Sequence, residues 1–237
     1  NCIITPDDFG TAYVERFGNY TVLTNSVKMV TYQQMFYKRV LDIIGGIVGC
    51  LITLIIFIFI APIIFIKSPG PIFFKQTRIG RNGKKFKMYK FRSMYMDAEE
   101  RKKEYMAQNK MDGLMFKMDD DPRIIGSEKK GKDGKPKGIG NFMRDFSLDE
   151  FPQFFNVLKG DMSLIGPRPP LTYHPWPVEK YTPHQFRMFS VRPGVTGWAQ
   201  VNGRNGITWT EKIKFDVEYI DGFSLWFDIK ILFKTVA

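Results

Sequence analysis

Residues Ile43 to Ile66 read IIGGIVGCLITLIIFIFIAPIIFI, 24 residues without a charge. A continuous helix of that length, rising about 1.5 Å per residue, covers a hydrocarbon core ~30 Å thick. The core helix of a soluble domain carries a polar stripe every few residues, and this run has none, so it reads as a membrane segment. It begins too far into the chain for a signal peptide, and no small-residue cleavage pattern follows it. Lys38 and Arg39 precede the run, and Lys67, Lys75, Arg78 and Arg81 follow it. The positive-inside tendency asks for both flanks to be cytoplasmic. A single straight crossing fails that requirement. A helix that enters, breaks and returns to the same face meets it, and Ala61-Pro62 is the natural break. Pro62 removes a backbone donor and clashes with the preceding turn, at roughly 3 kcal/mol, while Ala61 is pushed toward extended geometry. A single pass with a mild proline kink is the alternative.

Around this segment the chain has 237 residues, 35 basic and 24 acidic, for a net charge of +11. The stretch from Lys67 to Lys137 holds 20 of the basic and 10 of the acidic residues, so it owns nearly the whole excess. A hydrophobic content of 44%, with 22 Phe, excludes a disordered basic tail and supplies a sizeable core. Cys2 and Cys50 make neither a disulfide framework nor a zinc site. The segment NYTVLTNSVKMV has strand-like composition, and residues 1–37 look like the tail and linker of something larger. Residues 38–66 then form the membrane helix and 67–237 a domain on the cytoplasmic face.

Downstream, KSPGP is a turn cluster. Ile72 to Thr77 and Lys85 to Phe91 are β-like runs separated by the turn GRNGK. Gly80, Gly83 and Lys84 lack the spacer and hydroxyl of a phosphate-binding P-loop. A polar helix is expected from about Asp97 to Lys110, and Gly126 to Gly140 has the composition of a surface loop.

Ser147 to Glu150 fits the S-x-x-E capping box, followed by apolar Phe151, Phe154, Phe155 and Leu158 and stopped by Gly160. Pro152 sits awkwardly in that helix start, and Arg144 and Arg168 lie close in sequence. Free N–H groups, the helix dipole and guanidinium forks all favour phosphate there. An adjacent Asp149-Glu150 pair can hold Mg²⁺ and present a nucleophile to phosphorus. Val191 to Asn205, VRPGVTGWAQVNGRN, joins three glycines and an indole to Arg192 and Arg204. That composition suits backbone approach to a polar ligand, with a tight-turn scaffold as the alternative. Leu225, Trp226, Ile229, Leu232, Phe233 and Val236 fall on one helical face, either at a membrane interface or against a core, with the interface favoured.

These motifs together resemble the monotopic polyprenyl-phosphate phosphoglycosyl transferases, bacterial sugar transferases that begin capsule, exopolysaccharide and O-antigen synthesis. The resemblance runs from Lys38 to the C-terminus. It is carried by KRVLDI and the apolar run, by GPIFFKQTRIGRNGKKFKMYKFRSM, by FSLDEFPQFFNVLKGDMSLIGPRP and by VRPGVTGWAQVNGRN. Ala61-Pro62 stands where the family usually has Ser-Pro, and the 126–140 loop looks longer than the family's connection. DPRI at Asp121 to Ile124 is similar to the large members, which transfer glucose or galactose phosphate and tend to form homodimers.

The resemblance implies an α+β fold: a re-entrant helix-break-helix and a mainly helical cytoplasmic domain with short strands and interfacial amphipathic helices. It implies that Asp149 attacks the β-phosphorus of a UDP-sugar, releasing UMP, and that undecaprenyl phosphate takes the phosphosugar from the enzyme. Glu150 would assist, and Mg²⁺ on Asp149 and Glu150 would neutralise the diphosphate. Arg144, Arg168, Arg192 and Arg204 are expected as phosphate clamps, with Lys90 and Arg92 beside them. The basic stretch is expected to meet anionic membrane lipid. A membrane-anchored nucleic-acid binder is the rival suggested by charge, but no nucleic-acid motif is present. A catalytically silent scaffold would leave Asp149 and Glu150 without a task.

Overall fold

A computed structural model describes residues 12–17, 20–25, 31–105, 118, 120–131, 134, 136–173, 177–203 and 207–236. Strands β1 (Ala12–Phe17) and β2 (Tyr20–Asn25) form an antiparallel hairpin ahead of the apolar helix α1 (Tyr32–Lys67). Thr31 opens α1 with a capping box: its hydroxyl accepts from the Gln34 backbone N–H, and the Gln34 side chain accepts from the Thr31 N–H. The helix extends about 54 Å at the usual rise.

α1 does not end at Ala61-Pro62, where the sequence suggests a break. It continues through both residues to Lys67. Packing holds the helix continuous there: Ile60, Ala61 and Ile64 are buried, with Ile60 and Ile64 packed on Phe91, Ile125 and Met143.

The face of α1 turned to the domain changes along its length: polar residues Lys38, Arg39 and Asp42 come first, small Gly45, Gly46 and Gly49 follow, and Ile60 and Ile64 close it. A Cβ on Gly45 would stand 2.5 Å from Leu164 Cδ1, on Gly46 2.7 Å from Leu158 Cδ2, and on Gly49 2.2 Å from the Phe154 ring. The glycines therefore let α4 (Gln153–Lys159) and β5 (Ser163–Ile165) approach the helix closely. Polar ties reinforce this seam. Lys38 donates to the Ile165 carbonyl, Tyr219 Oη and Asp228 at 3.1, 3.2 and 2.7 Å. Arg39 donates to the last carbonyls of α4, Val157 and Leu158. Asp42, buried within the seam, accepts from Ser163 Oγ and the Leu164 N–H. The Thr53 hydroxyl faces the Gly49 and Phe151 carbonyls at 2.6 and 3.1 Å. The opposite side of α1 leaves Ile44, Val48, Leu51, Ile55, Phe59 and Ile66 exposed.

β3 (Phe73–Ile79) and β4 (Lys85–Phe91) pair antiparallel as the sequence indicates, β3 running two residues further than expected. Their turn places Asn82 and Gly83 at positive φ. Rings of Phe57, Phe73 and Phe91 stack, joining this hairpin to α1. The polar helix is much shorter than expected: α2 covers Ala98–Lys102, and residues 106–117 lie outside the described ones. α3 (Ile139–Asp145) already begins inside the segment read as loop, because Gly140 packs directly on the backbone of Ser93 and Ile125. After α4, the chain adds β5 parallel to β6 (Gly194–Thr196) and four further helices. These are α5 (Pro183–Phe186), α6 (Trp198–Gly203), α7 (Trp209–Asp221) and α8 (Leu225–Val236). α8 packs on the core along one side, where Asp228 and Ile231 are buried, and leaves Trp226 and Phe233 each 75% exposed on the other. The fold is thus α+β, with one long apolar helix.

The glycine seam makes a direct prediction. Gly49→Ala forces a methyl into the Phe154 ring and should destabilise the protein by about 1–3 kcal/mol. Thermal unfolding of the detergent-solubilised protein checks this, and the double variant with Phe154→Ala should show less than the sum of the two single losses.

Candidate active site

Asp149 and Glu150 do not open a capped helix. Ser147 sits at φ +55° and caps nothing with its side chain, so the chain folds into a short 3₁₀ turn, Leu148–Glu150. Pro152 then stands immediately before α4, where its missing N–H costs no helical bond. The physical reason is packing: Leu148 and Phe151 both insert into the cluster of Ile60, Ile64, Phe91, Ile125 and Met143. The turn between them holds Asp149 and Glu150 at the domain's cationic side.

Glu150 Oε1 accepts from Lys90 Nζ at 2.6 Å and from Arg168 Nη2 at 3.1 Å. Burial pushes this carboxyl up, but Arg168 and Lys90 outweigh burial and hold it well below the ordinary glutamate range. Asp149 behaves oppositely. Burial raises it and the Glu150 charge adds to the rise, against the lowering influence of Lys90 and Arg144. Two neighbouring carboxyls are therefore driven apart, one locked into ion pairs and the other held without a side-chain partner among the described residues.

Arg78 completes the cationic wall. Its guanidinium donates to the Pro169 carbonyl and to Gln76 Oε1, and burial together with the Arg168 charge lowers it to about 10. A cleft lined by Arg78, Met88, Gln153, Arg168, Pro169 and Gly194 opens beside it. Sequence reasoning placed Arg78 only among the flanking charges. It reaches the site because β3 extends into a long-range pairing, with the Ile79 N–H donating to the Pro170 carbonyl and Arg78 bridged to Leu171.

Of the expected clamps, Lys90, Arg144 and Arg168 gather around the pair. Arg192 does not. It donates through Nε to the Gly160 carbonyl at 2.9 Å, where a cation complements the C-terminal end of α4. Arg92 is also placed elsewhere, at the end of α1, where Nη2 donates to the Ser68 carbonyl. Arg204 lies outside the described residues.

The donor set can accept Mg²⁺. Lys90 and Arg168 both use Oε1 of Glu150, which leaves Oε2 and the Asp149 carboxylate without hydrogen bonds to other described side chains. Mg²⁺ commonly takes one or two carboxylates and completes its shell with water and substrate phosphate. Among the described residues no cluster of three or more His, Cys, Asp or Glu supplies a closed protein cage.

Residues 33–237 match the family described as Bacterial sugar transferase. The chain belongs to that family. It is 48% identical to Galactosyl transferase CpsE of Streptococcus agalactiae over 231 residues, covering 97% of this chain and 48% of CpsE. It is 39% identical to the uncharacterized sugar transferase EpsL of Bacillus subtilis, covering 85% of this chain and 86% of EpsL. The UDP-glucose:undecaprenyl-phosphate glucose-1-phosphate transferase of Escherichia coli is also 39% identical, covering 84% of this chain and 39% of the relative. The chain thus spans about half of CpsE and less of the Escherichia coli enzyme, but most of EpsL.

The site carries a pH signature in stability. Glu150 has a folded value below its ordinary 4.5, so its pairing stabilises the protein above that value and is lost as pH falls through the folded value. Glu150→Gln should therefore cost about 2 kcal/mol at neutral pH. The gap between the two proteins should narrow on acidification below the ordinary glutamate value, as read from unfolding curves across pH.

Proposed function

We propose that this chain transfers a hexose 1-phosphate from a UDP-sugar to undecaprenyl phosphate, the first membrane step in building a capsule, exopolysaccharide or O-antigen. The observation that carries this reading is the division of labour between Asp149 and Glu150 in a wall of Lys90, Arg78, Arg144 and Arg168.

An Asp149 carboxylate oxygen attacks the β-phosphorus of the UDP-sugar. The bond from that phosphorus to the bridging oxygen breaks, UMP departs with the electron pair, and the phosphosugar remains on the aspartate. A phosphate oxygen of undecaprenyl phosphate then attacks the same phosphorus, breaking the aspartyl bond and regenerating the carboxylate. Both steps bring anions together, so the cationic wall offsets a repulsion that would otherwise block approach. Glu150 stays ionised through its two ion pairs. It therefore orders Lys90 and Arg168 and does not store a proton. When bound to Asp149 and Glu150, Mg²⁺ would neutralise charge on the diphosphate. Partial desolvation of Asp149 strengthens it as a nucleophile once ionised.

Names of relatives point to glucose or galactose as the sugar, CpsE being called a galactosyl transferase and the Escherichia coli relative a glucose-1-phosphate transferase. Incubating the protein with labelled UDP-glucose and UDP-galactose, without lipid, should release UMP and leave label on protein. Asp149→Asn should lower UMP release by at least a hundredfold, on the scale of losing a covalent nucleophile. Wild-type release from that variant would assign the nucleophile elsewhere.

The seating of α1 supports a monotopic attachment in which one continuous helix lies along the domain, on the cytoplasmic face, without a break at Pro62. Contacts with the domain run from Lys38 to Ile64, some 39 Å of helix at the usual rise. A perpendicular crossing would drag those domain surfaces through a hydrocarbon core ~30 Å thick. Anchored at both ends to one folded body, the helix keeps its two basic flanks on one side, where anionic lipid faces the basic stretch. Single cysteines placed at 32 and 67, with Cys2 and Cys50 replaced, should label from the same side of sealed vesicles; labelling from opposite sides would exclude this seating.

A further inference from the structure

Gln153 is a polar side chain without a partner where burial ought to demand one. It is 3% exposed, yet its amide makes no hydrogen bond to any other described residue. The amide of Gln200 is also unpaired, but both of its polar atoms are sealed from solvent. Gln153 differs in that its amide atoms keep a sliver of surface and line the cleft of Arg78, Met88, Arg168 and Val195. That cleft has an empty volume of about 200 Å³. At ~30 Å³ for each water, it has room for a small polar molecule. An amide offers two donors and an acceptor, and keeping all of them buried and unpaired is a standing cost that a ligand would relieve.

Position and chemistry say what that ligand group is. Phe151 and Pro152, between Glu150 and Gln153, keep helical backbone angles, and the Phe154 N–H donates to the Phe151 carbonyl at 3.0 Å. Side chains three residues apart on such a run share one side, with Cβ atoms about 5–6 Å apart. Arg168 spans the two, donating to Glu150 while lining the cleft with Gln153. The cleft therefore starts beside the carboxylate pair. Its arginines suit phosphate, but the amide oxygen is an acceptor that phosphate cannot satisfy. A hydroxyl can. In a UDP-sugar the hexose is esterified to the β-phosphate itself, whereas the uracil lies beyond a second phosphate and a ribose. One helical turn from the reacting phosphorus reaches the hexose and falls short of the base. Met88 and Val195 add an apolar wall for the C–H face of a sugar ring.

We propose that the Gln153 amide oxygen accepts a hydrogen bond from the C2 hydroxyl of the donor hexose, the hydroxyl nearest the anomeric phosphate ester. This rests on the proposed transfer reaction for the donor's identity. Arg78 and Arg168 then hold charge, and Gln153 reads the sugar and fixes its rotation about the ester bond in front of Asp149. Selectivity follows from the unpaired amide. A donor lacking the hydroxyl leaves it unsatisfied, and a buried polar group rejects such an analogue more strongly than an apolar pocket rejects a change in size.

The test removes each side of the contact in turn. Binding of UDP-glucose, UDP-2-deoxyglucose and UDP is measured by calorimetry on the full chain in neutral detergent, with Asp149→Asn present throughout so that no sugar phosphate is transferred. Gln153 is compared with Gln153→Met, which keeps the volume, and with Gln153→Ala, which does not. With Gln153 in place, loss of the C2 hydroxyl should weaken binding on the order of tenfold. Gln153→Met and Gln153→Ala should each weaken UDP-glucose by a similar factor and bind the two sugar nucleotides within about twofold of each other, because the pair is coupled. UDP should bind all three proteins alike. Equal binding of the two sugar nucleotides to the Gln153 protein overturns the proposal. So does a loss that extends to UDP, which assigns the amide to the nucleotide or to the fold, and so does a tenfold preference for the hydroxyl that survives both substitutions. UMP release by the chain with Asp149 intact separates this contact from the reaction. Release that is indifferent to the hydroxyl and to Gln153 leaves the reaction standing and the contact refuted; coupled binding without any release does the reverse.

Discussion

The packing of α4 against the glycine face of α1 is the constraint on which the rest of the structure depends. Three glycines within about one turn bring the helix within reach of Leu164, Leu158 and Phe154, and a Cβ at any of them would force one of those side chains to move. Glycine in a helix interior costs about 1 kcal/mol relative to alanine, so this seam is bought with helix propensity. What it gains is position. Phe151 and Leu148 flank the 3₁₀ turn and pack against the same apolar cluster as the distal half of α1, so the turn holding Asp149 and Glu150 is set by the membrane helix as much as by the domain. Lys38, Arg39 and Asp42 fix the proximal half by charged and polar contacts. Anchor and catalytic unit are one packed body.

Within that body, charge is distributed unevenly for a reason. Glu150 consumes two cations and stays ionised, while Asp149, its neighbour, is buried with like charge beside it and without a guanidinium of its own. In the proposed reaction, Asp149 as nucleophile must not be locked in an ion pair, and a cationic wall must not collapse onto it. Glu150 answers both requirements by occupying Lys90 and Arg168 in the free protein. Arg78 stays near them although its charge is penalised by burial and by Arg168. Stacking like charges in this way destabilises the unliganded site and is relieved by a phosphate-bearing ligand.

Much of this was legible from the residues, and the failures have specific causes. The apolar run, the β3–β4 hairpin and the C-terminal helix follow from hydropathy and period, which are local properties. The Asp149-Glu150 pair and its partners Lys90 and Arg168 were recognisable from motif and composition. The capping box failed because S-x-x-E is satisfied equally by a chain whose Leu148 and Phe151 are pulled into a core, and tertiary packing then overrides the helix start. Arg192 was misread because density of arginine and glycine does not reveal that the carbonyls of α4 end nearby. Arg78 arrives through a pairing between residues more than 90 apart in sequence, which no local pattern encodes. The membrane run has no charge, yet its domain-facing side combines small glycines with buried Thr53, and Asp42 sits buried just before it.

The basic excess between residues 67 and 137 is the last point at which structure alters the reading of composition. From sequence, that stretch looks like a docking surface, with the chemistry in the nearly neutral remainder. The fold divides it differently. Arg78 and Lys90 belong to the stretch yet stand in the site wall, Arg92 ends buried beneath the exit of α1, and Arg123 is neutralised by Asp121. Lys84, Lys85 and Lys87 remain on the surface. A single hairpin therefore carries cations of two kinds: screened surface charges, and desolvated ones whose interactions are several times stronger per contact. The alternation of a β-strand is what separates them, since neighbouring residues on β4 point to opposite faces. A helix bearing the same run of lysines and arginines would spread them around its circumference and could not hold Lys90 on Glu150 while turning Lys85 and Lys87 to solvent.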